Sequence, residues 1–309
     1  MTRDPARAGL RRAALATAVV FATNGFLLAT WVARLPATRD RLGASAAQLG
    51  LVLLAPGFGS LLSMPFSGRW CRRFGSRAVV AATTVAASAV LVSLAVVPTL
   101  VALGVALFVW GSFYGSWDVA MNVHGSAVEQ RAGRDWMPRY HACWSVGGIA
   151  GAGCGALAAL LGGPLVLHYA AVAVLCIILV MVSLRSFIED RAALQPPAPA
   201  PEEDHSRRRV LTGRLLLVGV VTICATTLEG AAADWLALFL TDERGATASL
   251  AAFGYAVFAV AMAAGRFSGT AVAERLGRHG AVRVGGMVSF AGVLLTVLGP
   301  GLASAYTGA

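Results

Sequence analysis

The sequence predicts an all-α membrane protein, a polytopic bundle of helices that cross the bilayer. Of its 309 residues, 57% are hydrophobic and 13% are charged, whereas soluble domains have about 25% charged residues. The charges lie in short segments that separate long apolar runs. Because water solvates so large an apolar surplus poorly, we expect most of the helices to face lipid.

Nine segments are long and apolar enough to cross a hydrocarbon core of about 30 Å, which requires about 20 helical residues. They comprise residues 12–34, 46–68, 78–97, 100–125, 141–162, 165–187, 212–240, 249–272 and 281–301. The proline-rich, polar stretch from Glu189 to Arg209 predicts an extended cytoplasmic linker. The predicted domains are therefore a six-helix half at 1–188, the linker at 189–211 and three further helices at 212–309.

The arginines predict the orientation of the chain. All 25 basic residues are arginine, and a cytoplasmic amino terminus places 21 of them inside and four outside, as the positive-inside rule requires. We expect a multi-pass inner-membrane protein in this orientation. The arginines form small clusters rather than a basic domain, so nucleic-acid binding is not expected.

The sequence offers little support for an enzyme. It contains no lysine, which excludes a P-loop or Schiff-base lysine. The five cysteines have no C-x-x-C spacing, and the common protease, hydrolase and kinase signatures do not occur. We therefore expect no metal and no cofactor.

Two patterns recur about 202 residues apart and predict a duplicated six-helix unit. The segment from Arg72 to Gly75 follows the second apolar run, and the segment from Glu274 to Gly277 follows the eighth. Asn24-Gly25 in the first run is paralleled by Glu229-Gly230 in the seventh. The second unit reaches only its third helix at Ala309, which predicts a C-terminally truncated reading frame.

The loop after the second run resembles the G-x-x-x-D-R-x-G-R-R signature of the major facilitator superfamily of secondary transporters. Gly68, Arg73, Gly75 and Arg77 match it, whereas Arg72 stands where the family usually has aspartate. The corresponding residues of the later copy are Glu274, Arg275, Gly277 and Arg278. The resemblance implies a monomer built from two parallel repeats, with these loop residues in a gating role.

Within the superfamily, the segment from Trp117 to Asn122 resembles the fucose permease group, whose helix carries a carboxylate followed four residues later by asparagine. Asp118 and Asn122 hold these positions here. That group also has a carboxylate in its first helix, where this chain offers only Asn24.

Asp118 is the strongest candidate for a functional group, because an ionisable side chain within a span costs about 2.5–3.5 kcal/mol and generally faces a cavity. Trp110, Tyr114, Asp118 and Asn122 recur every four residues and share one helix face. Such a face suits a polyhydroxy ligand, and its carboxylate can carry a coupling proton. The alternative is a structural hydrogen bond from Asp118 to a neighbouring helix.

Other polar residues complete the candidate solute and proton site. Glu229 is the second choice, and Asp234 lies about 140° further around the same helix, as an outward gate or as an interfacial residue. Trp144 is expected to line the cavity. His141 is either a proton relay or a solvated or structural histidine.

Glycines predict where helices pack closely. Gly111 and Gly115 form a G-x-x-x-G face, and glycines recur between residues 147 and 155. Small residues at such spacing let helix backbones approach each other.

We therefore expect a proton-coupled secondary transporter of a small solute, sugar-like or another small organic molecule, that works by alternating access. Its partners are then the solute, protons and the lipid bilayer. The alternatives are a multidrug-type efflux transporter and a non-transporting scaffold or inactive truncated fragment. Asp118 and Glu229 argue against a scaffold, which needs no ionisable residues in the membrane.

Overall fold

The structure, a computed structural model, describes residues 5–190, 213–246 and 248–308. Most of the predicted linker at 189–211 lies outside these residues. Within them the regular structure is helical. The helices are α1 (Pro5–Ala33), α2 (Leu35–Leu42), α3 (Ala46–Val52), α4 (Ala55–Phe74), α5 (Ser76–Leu94), α6 (Leu100–Ala132), α7 (Met137–Leu160), α8 (Leu165–Leu184), α9 (Gly213–Asp242), α10 (Ala248–Leu298) and α11 (Gly301–Gly308).

Eight helical segments of the described chain are long and apolar enough to span a membrane. They comprise α1, the α3–α4 pair, α5, α6, α7, α8, most of α9 and the second part of α10. The remaining predicted span, 249–272, is also helical, and its described side chains form a shorter apolar helix at Val257–Gly269. The predicted all-α membrane fold is confirmed.

The chain forms two compact units, Met1–Gln195 and Pro196–Ala309, which we call unit 1 and unit 2. The core of unit 1 contains Trp117 and Tyr169 among its fully buried side chains. Unit 2 has a small core around Leu236 and Leu240. Apolar side chains also cover the outer faces of many helices, as expected where the surrounding solvent is lipid.

Glycines bring two pairs of helices into close contact in unit 1, as predicted. A Cβ atom on Gly151 of α7 would overlap the backbone of Phe26 in α1. A Cβ atom on Gly111 of α6 would overlap Pro56 in α4, and Gly115 lies against the same helix. The pairs α1–α7 and α4–α6 are therefore held at backbone-to-backbone distance, which fixes the positions of the polar side chains that they carry.

The backbone conformation supports the internal repeat. Gly75 ends α4 with φ 82° and ψ 151°, and Gly277 breaks α10 with φ 70° and ψ 161°. This region of conformational space is accessible essentially only to glycine. Gly43 and Gly245, which also lie 202 residues apart, have φ values of 60° and 64°.

A side-chain contact recurs at the same spacing. The carboxyl-terminal turn of a helix leaves carbonyl groups without intrahelical partners. Arg41 donates to the carbonyl of Leu94 at 3.0 Å, at the end of α5. Arg244 donates to the carbonyl of Thr296 at 3.0 Å, near the end of α10. The third span of each repeat is thus capped by an arginine that follows the first span, Arg41 from the short helix α2 and Arg244 from the turn after α9.

Candidate functional site

Three helices of unit 1 bring the predicted polar residues together. The indole N–H of Trp144, on α7, donates to Asn24 Oδ1 at 2.9 Å and to the Tyr114 hydroxyl at 3.3 Å. Asn24 lies on α1 and Tyr114 on α6. We call these three residues, with Asp118 and Asn122 of α6, the polar cluster.

Asp118 and Asn122 form the second part of the polar cluster. The Asn122 amide donates to the Asp118 main-chain oxygen at 2.9 Å and to its carboxylate Oδ1 at 3.3 Å. Both side chains are half-buried. Within the described chain no cation lies within ion-pair distance of Asp118, and this asparagine, on the same helix, is its hydrogen-bond partner. The carboxylate can therefore bind and release a proton, or accept a hydrogen bond from a hydroxyl group of a ligand.

The orientation of Asn24 follows from its partner. An indole N–H only donates, so Asn24 must present its carbonyl oxygen to Trp144 and its amino group elsewhere. Asn24 is 0% exposed, and its Nδ2 finds no acceptor among the described residues. A buried amide whose amino group has no acceptor is costly, and its two N–H donors could bind a ligand atom that enters the cluster.

Two aromatic contacts lie next to the polar cluster. The rings of Trp110 and Tyr114 stack with centroids 5.0 Å apart and an interplanar angle of 20°. His141 lies one turn before Trp144 on α7, with its ring edge-on to Phe21 at 5.3 Å. The structure thus places His141 beside the cluster and packs it against α1.

His124 has a structural role. Its Nε2 accepts the backbone N–H of Ile188 at 3.1 Å, and its Nδ1 lies 3.0 Å from the Thr17 hydroxyl. The ring also stacks on Phe187 with centroids 3.5 Å apart. Because Nε2 is an acceptor, the imidazole is neutral and carries its proton on Nδ1. It ties the segment that follows α8 to α1 and α6.

In unit 2, Glu229 of α9 forms an ion pair with Arg266 of α10. The side chains are 42% and 21% exposed, respectively. The sequence analysis used Arg266 only to orient the chain, although an arginine inside the apolar segment 249–272 is a signal of function. Helix α9 continues through Gly230 without a break, and the side chain of Asp234 lies outside the described residues.

The predicted gating residues lie around the two glycine turns. Arg72 and Arg73 occupy the last turn of α4, after Gly68, and Arg77 is the second residue of α5. In the later copy, Glu274, Arg275 and Arg278 flank Gly277 and are exposed. Their role in gating stays a prediction.

A carboxylate does lie at the first of these turns, although it comes from elsewhere in the chain. Asp190 is 2% exposed, and its Oδ1 accepts the backbone N–H of Ser76 at 3.3 Å. Ser76 is the first residue of α5, where a negative charge stabilises the helix. Sequence reasoning missed Asp190 because it lies in the polar segment that predicted a linker.

Comparison with known proteins identifies the family. The chain matches the model of the Major Facilitator Superfamily over residues 13–308. An MFS-type transporter of Yersinia pestis is 34% identical over 284 residues, which cover 92% of this chain and 72% of that protein. A transporter of Sinorhizobium fredii is 33% identical, with 90% of this chain and 72% of that protein covered.

A more distant relative and a solved structure agree with this assignment. The membrane protein MosC of Rhizobium meliloti is 26% identical, covering 95% of this chain and 70% of that protein. The crystal structure of the nucleoside transporter NupG superposes with a TM-score of 0.64 at 17% identity, covering 96% of this chain and 77% of that one. The likeness to NupG shows the fold alone. The chain therefore belongs to the major facilitator superfamily and is a multi-pass membrane transporter rather than an enzyme.

Proposed function

We propose that this transporter moves a small polyhydroxy solute, sugar-like in chemistry, and that a proton gradient drives the movement. The observation that carries the proposal is Asp118, an intramembrane carboxylate without a cationic partner in the described chain, set within the polar cluster. An uncompensated carboxylate in a span is expensive and marks a site of function by default.

The polar cluster has the chemistry that a sugar-like solute requires. Asn122 and Asn24 offer amide groups to hydroxyls, and Asp118 accepts hydrogen bonds from them. The ring of Tyr114, which stacks on the buried Trp110, offers aromatic surface to the C–H face of a sugar ring. The short resemblance to the fucose permease group supports the same class of solute.

Proton coupling follows from the charge of Asp118. Because no arginine among the described residues pairs with it, the carboxylate is most easily neutralised by a proton when the site is closed to water. Solute and proton then favour the same state of the protein, which is the thermodynamic requirement for coupling. Transport proceeds by alternating access, in which the two repeats move relative to each other.

Glu229 is the second candidate for solute or proton binding. Its carboxylate already forms an ion pair with Arg266, whereas Asp118 has no cationic partner among the described residues. We propose that the pair holds α9 and α10 together and contributes polar groups to the solute path. The arginine distribution supports an inner-membrane location with the amino terminus in the cytoplasm.

Transport in proteoliposomes tests the proposal. The full chain is reconstituted, a pH gradient is imposed, and accumulation of labelled monosaccharides, nucleosides and lipophilic cations is followed, with protein-free liposomes as control. We expect one of the polyhydroxy solutes to accumulate against its gradient and to leak out when a protonophore is added. Accumulation of lipophilic cations alone would instead support the multidrug alternative, and uptake indifferent to the pH gradient would exclude proton coupling.

A further inference from the structure

A cavity of about 680 Å³ opens in unit 1 between the start of α1 and the turn that joins α6 to α7. It is separate from the polar cluster, and none of the polar-cluster residues lines it. Three arginines line it, Arg11 on α1, Arg134 in the turn and Arg139 in the first turns of α7. The remaining lining is mainly apolar.

The arginines of this cavity have no ion-pair partner among the described residues, and Asp135, next to Arg134 in the turn, does not line the cavity. Arg11, Arg134 and Arg139 are exposed and form no ion pair within the described residues. The carboxylate of the neighbouring Glu129 is hydrogen-bonded to the backbone instead. Its Oε2 accepts the N–H groups of Trp136 and of the next residue, both at 2.7 Å. The cavity therefore presents three guanidinium groups to an anion.

Apolar side chains line the other side of the cavity. Ala14 and Leu15 of α1 line it, and Leu15 is 69% exposed although it lies in a membrane-spanning helix. Trp136 also lines the cavity, and tryptophan is enriched where a protein meets the boundary between lipid tails and headgroups. The cavity thus joins the arginine-rich surface to an exposed apolar surface of α1.

We propose that this cavity binds one anionic phospholipid. The arginines hold the phosphate, for which the planar guanidinium is well suited, and the upper part of an acyl chain lies against Ala14 and Leu15. Basic pockets beside membrane-spanning helices are a recognised way to hold acidic headgroups. A free phosphate ester would use the same arginines but would leave the apolar wall without a ligand, so the geometry favours the lipid.

Native mass spectrometry of the full chain in neutral detergent tests the proposal. The probes are dioleoylphosphatidylglycerol, zwitterionic dioleoylphosphatidylcholine and water-soluble glycerol phosphate. The test variant is Arg134→Gln with Arg139→Gln. The matched control is Arg12→Gln with Arg185→Gln, which removes two exposed arginines that do not line the cavity.

We expect one tightly bound phosphatidylglycerol on the native chain and on the control pair. In the test variant its affinity falls by about 30-fold, because each basic residue near an anionic headgroup contributes roughly fivefold. Ala14→Trp, which fills the apolar part and keeps every arginine, should also displace the lipid. Gel filtration verifies that each variant is folded.

Three results would overturn the proposal. Equal loss of phosphatidylglycerol in the test and control pairs would assign binding to overall charge rather than to this cavity. Equal binding of phosphatidylcholine would remove the role of the anionic headgroup. Competition by glycerol phosphate, with lipid binding unaffected by Ala14→Trp, would assign the site to a soluble phosphate ester.

Discussion

Replacing Trp144 by phenylalanine removes the donor that joins α7 to α1 and α6. The indole N–H reaches Asn24 Oδ1 at 2.9 Å and the Tyr114 hydroxyl at 3.3 Å. After the substitution, Asn24 keeps a fully buried amide that lacks this partner for its oxygen, while its nitrogen already has none in the described chain. Leaving one buried acceptor unsatisfied costs about 1–3 kcal/mol.

A double-mutant cycle separates this hydrogen bond from the loss of volume. Trp144→Phe is combined with Asn24→Ala, and the free energy of unfolding is measured by SDS titration of the detergent-solubilised chain, followed by circular dichroism. We expect a coupling energy of about 1–2 kcal/mol between the two positions.

Trp110 provides the matched control for this cycle. It is buried, whereas Trp144 is half-buried, and its Nε1 has no partner among the described residues. The cycle of Trp110→Phe with Asn24→Ala should therefore give a coupling energy below about 0.5 kcal/mol. Equal coupling in the two cycles would refute the assignment of the Trp144–Asn24 contact as the link between α7 and α1.

Three further predictions use the same unfolding assay. Gly151→Leu should lower the free energy of unfolding by about 1–3 kcal/mol, because the new side chain overlaps the backbone of α1. Gly153→Leu should not lower it, since open space surrounds that glycine and leucine favours the helix. Gly277→Ala should cost about 1–3 kcal/mol through backbone strain alone, because no atom lies within 4 Å of the added Cβ; an unchanged midpoint would contradict the φ of 70°. Glu229→Gln should destabilise the chain by about 1 kcal/mol, and adding Arg266→Gln should restore part of that loss; a further loss of equal size would show that the two side chains act independently.

The spans and the repeat could be predicted because their signals are local. An apolar run of about 20 residues identifies a membrane helix without knowledge of its neighbours. The turns at Gly75 and Gly277 share a backbone conformation that the sequence marks with glycine at equivalent positions. The row from Tyr114 to Asn122 on α6 follows from helical periodicity alone.

The contacts that build the polar cluster are not local. Trp144 and Asn24 are 120 residues apart, and they meet only because α7 lies close to α1 through its glycines. Glycine spacing predicts that a helix packs closely, but it does not name the partner helix. The sequence therefore identified the members of the cluster and left their hydrogen bonds undetermined.

Charged residues were the hardest to assign, because one residue type serves several purposes in a membrane protein. Arg266 counted as one more positive charge in the orientation argument, yet the structure pairs it with Glu229 inside unit 2. Asp190 belonged to a polar segment that predicted a linker, yet it is buried at the start of α5. Each assignment depends on which groups surround the charge in three dimensions.

The measurement that tests the account most directly is solute transport by Asp118→Asn in proteoliposomes, compared with the native chain and with Asp135→Asn. Asp135 is an exposed acid in the turn after α6 and serves as the matched control. We expect Asp118→Asn to exchange labelled for unlabelled solute at the native rate but to lose accumulation driven by a pH gradient, because the amide binds the solute without carrying a proton. Undiminished gradient-driven accumulation in Asp118→Asn would contradict the assignment of Asp118 as the coupling group.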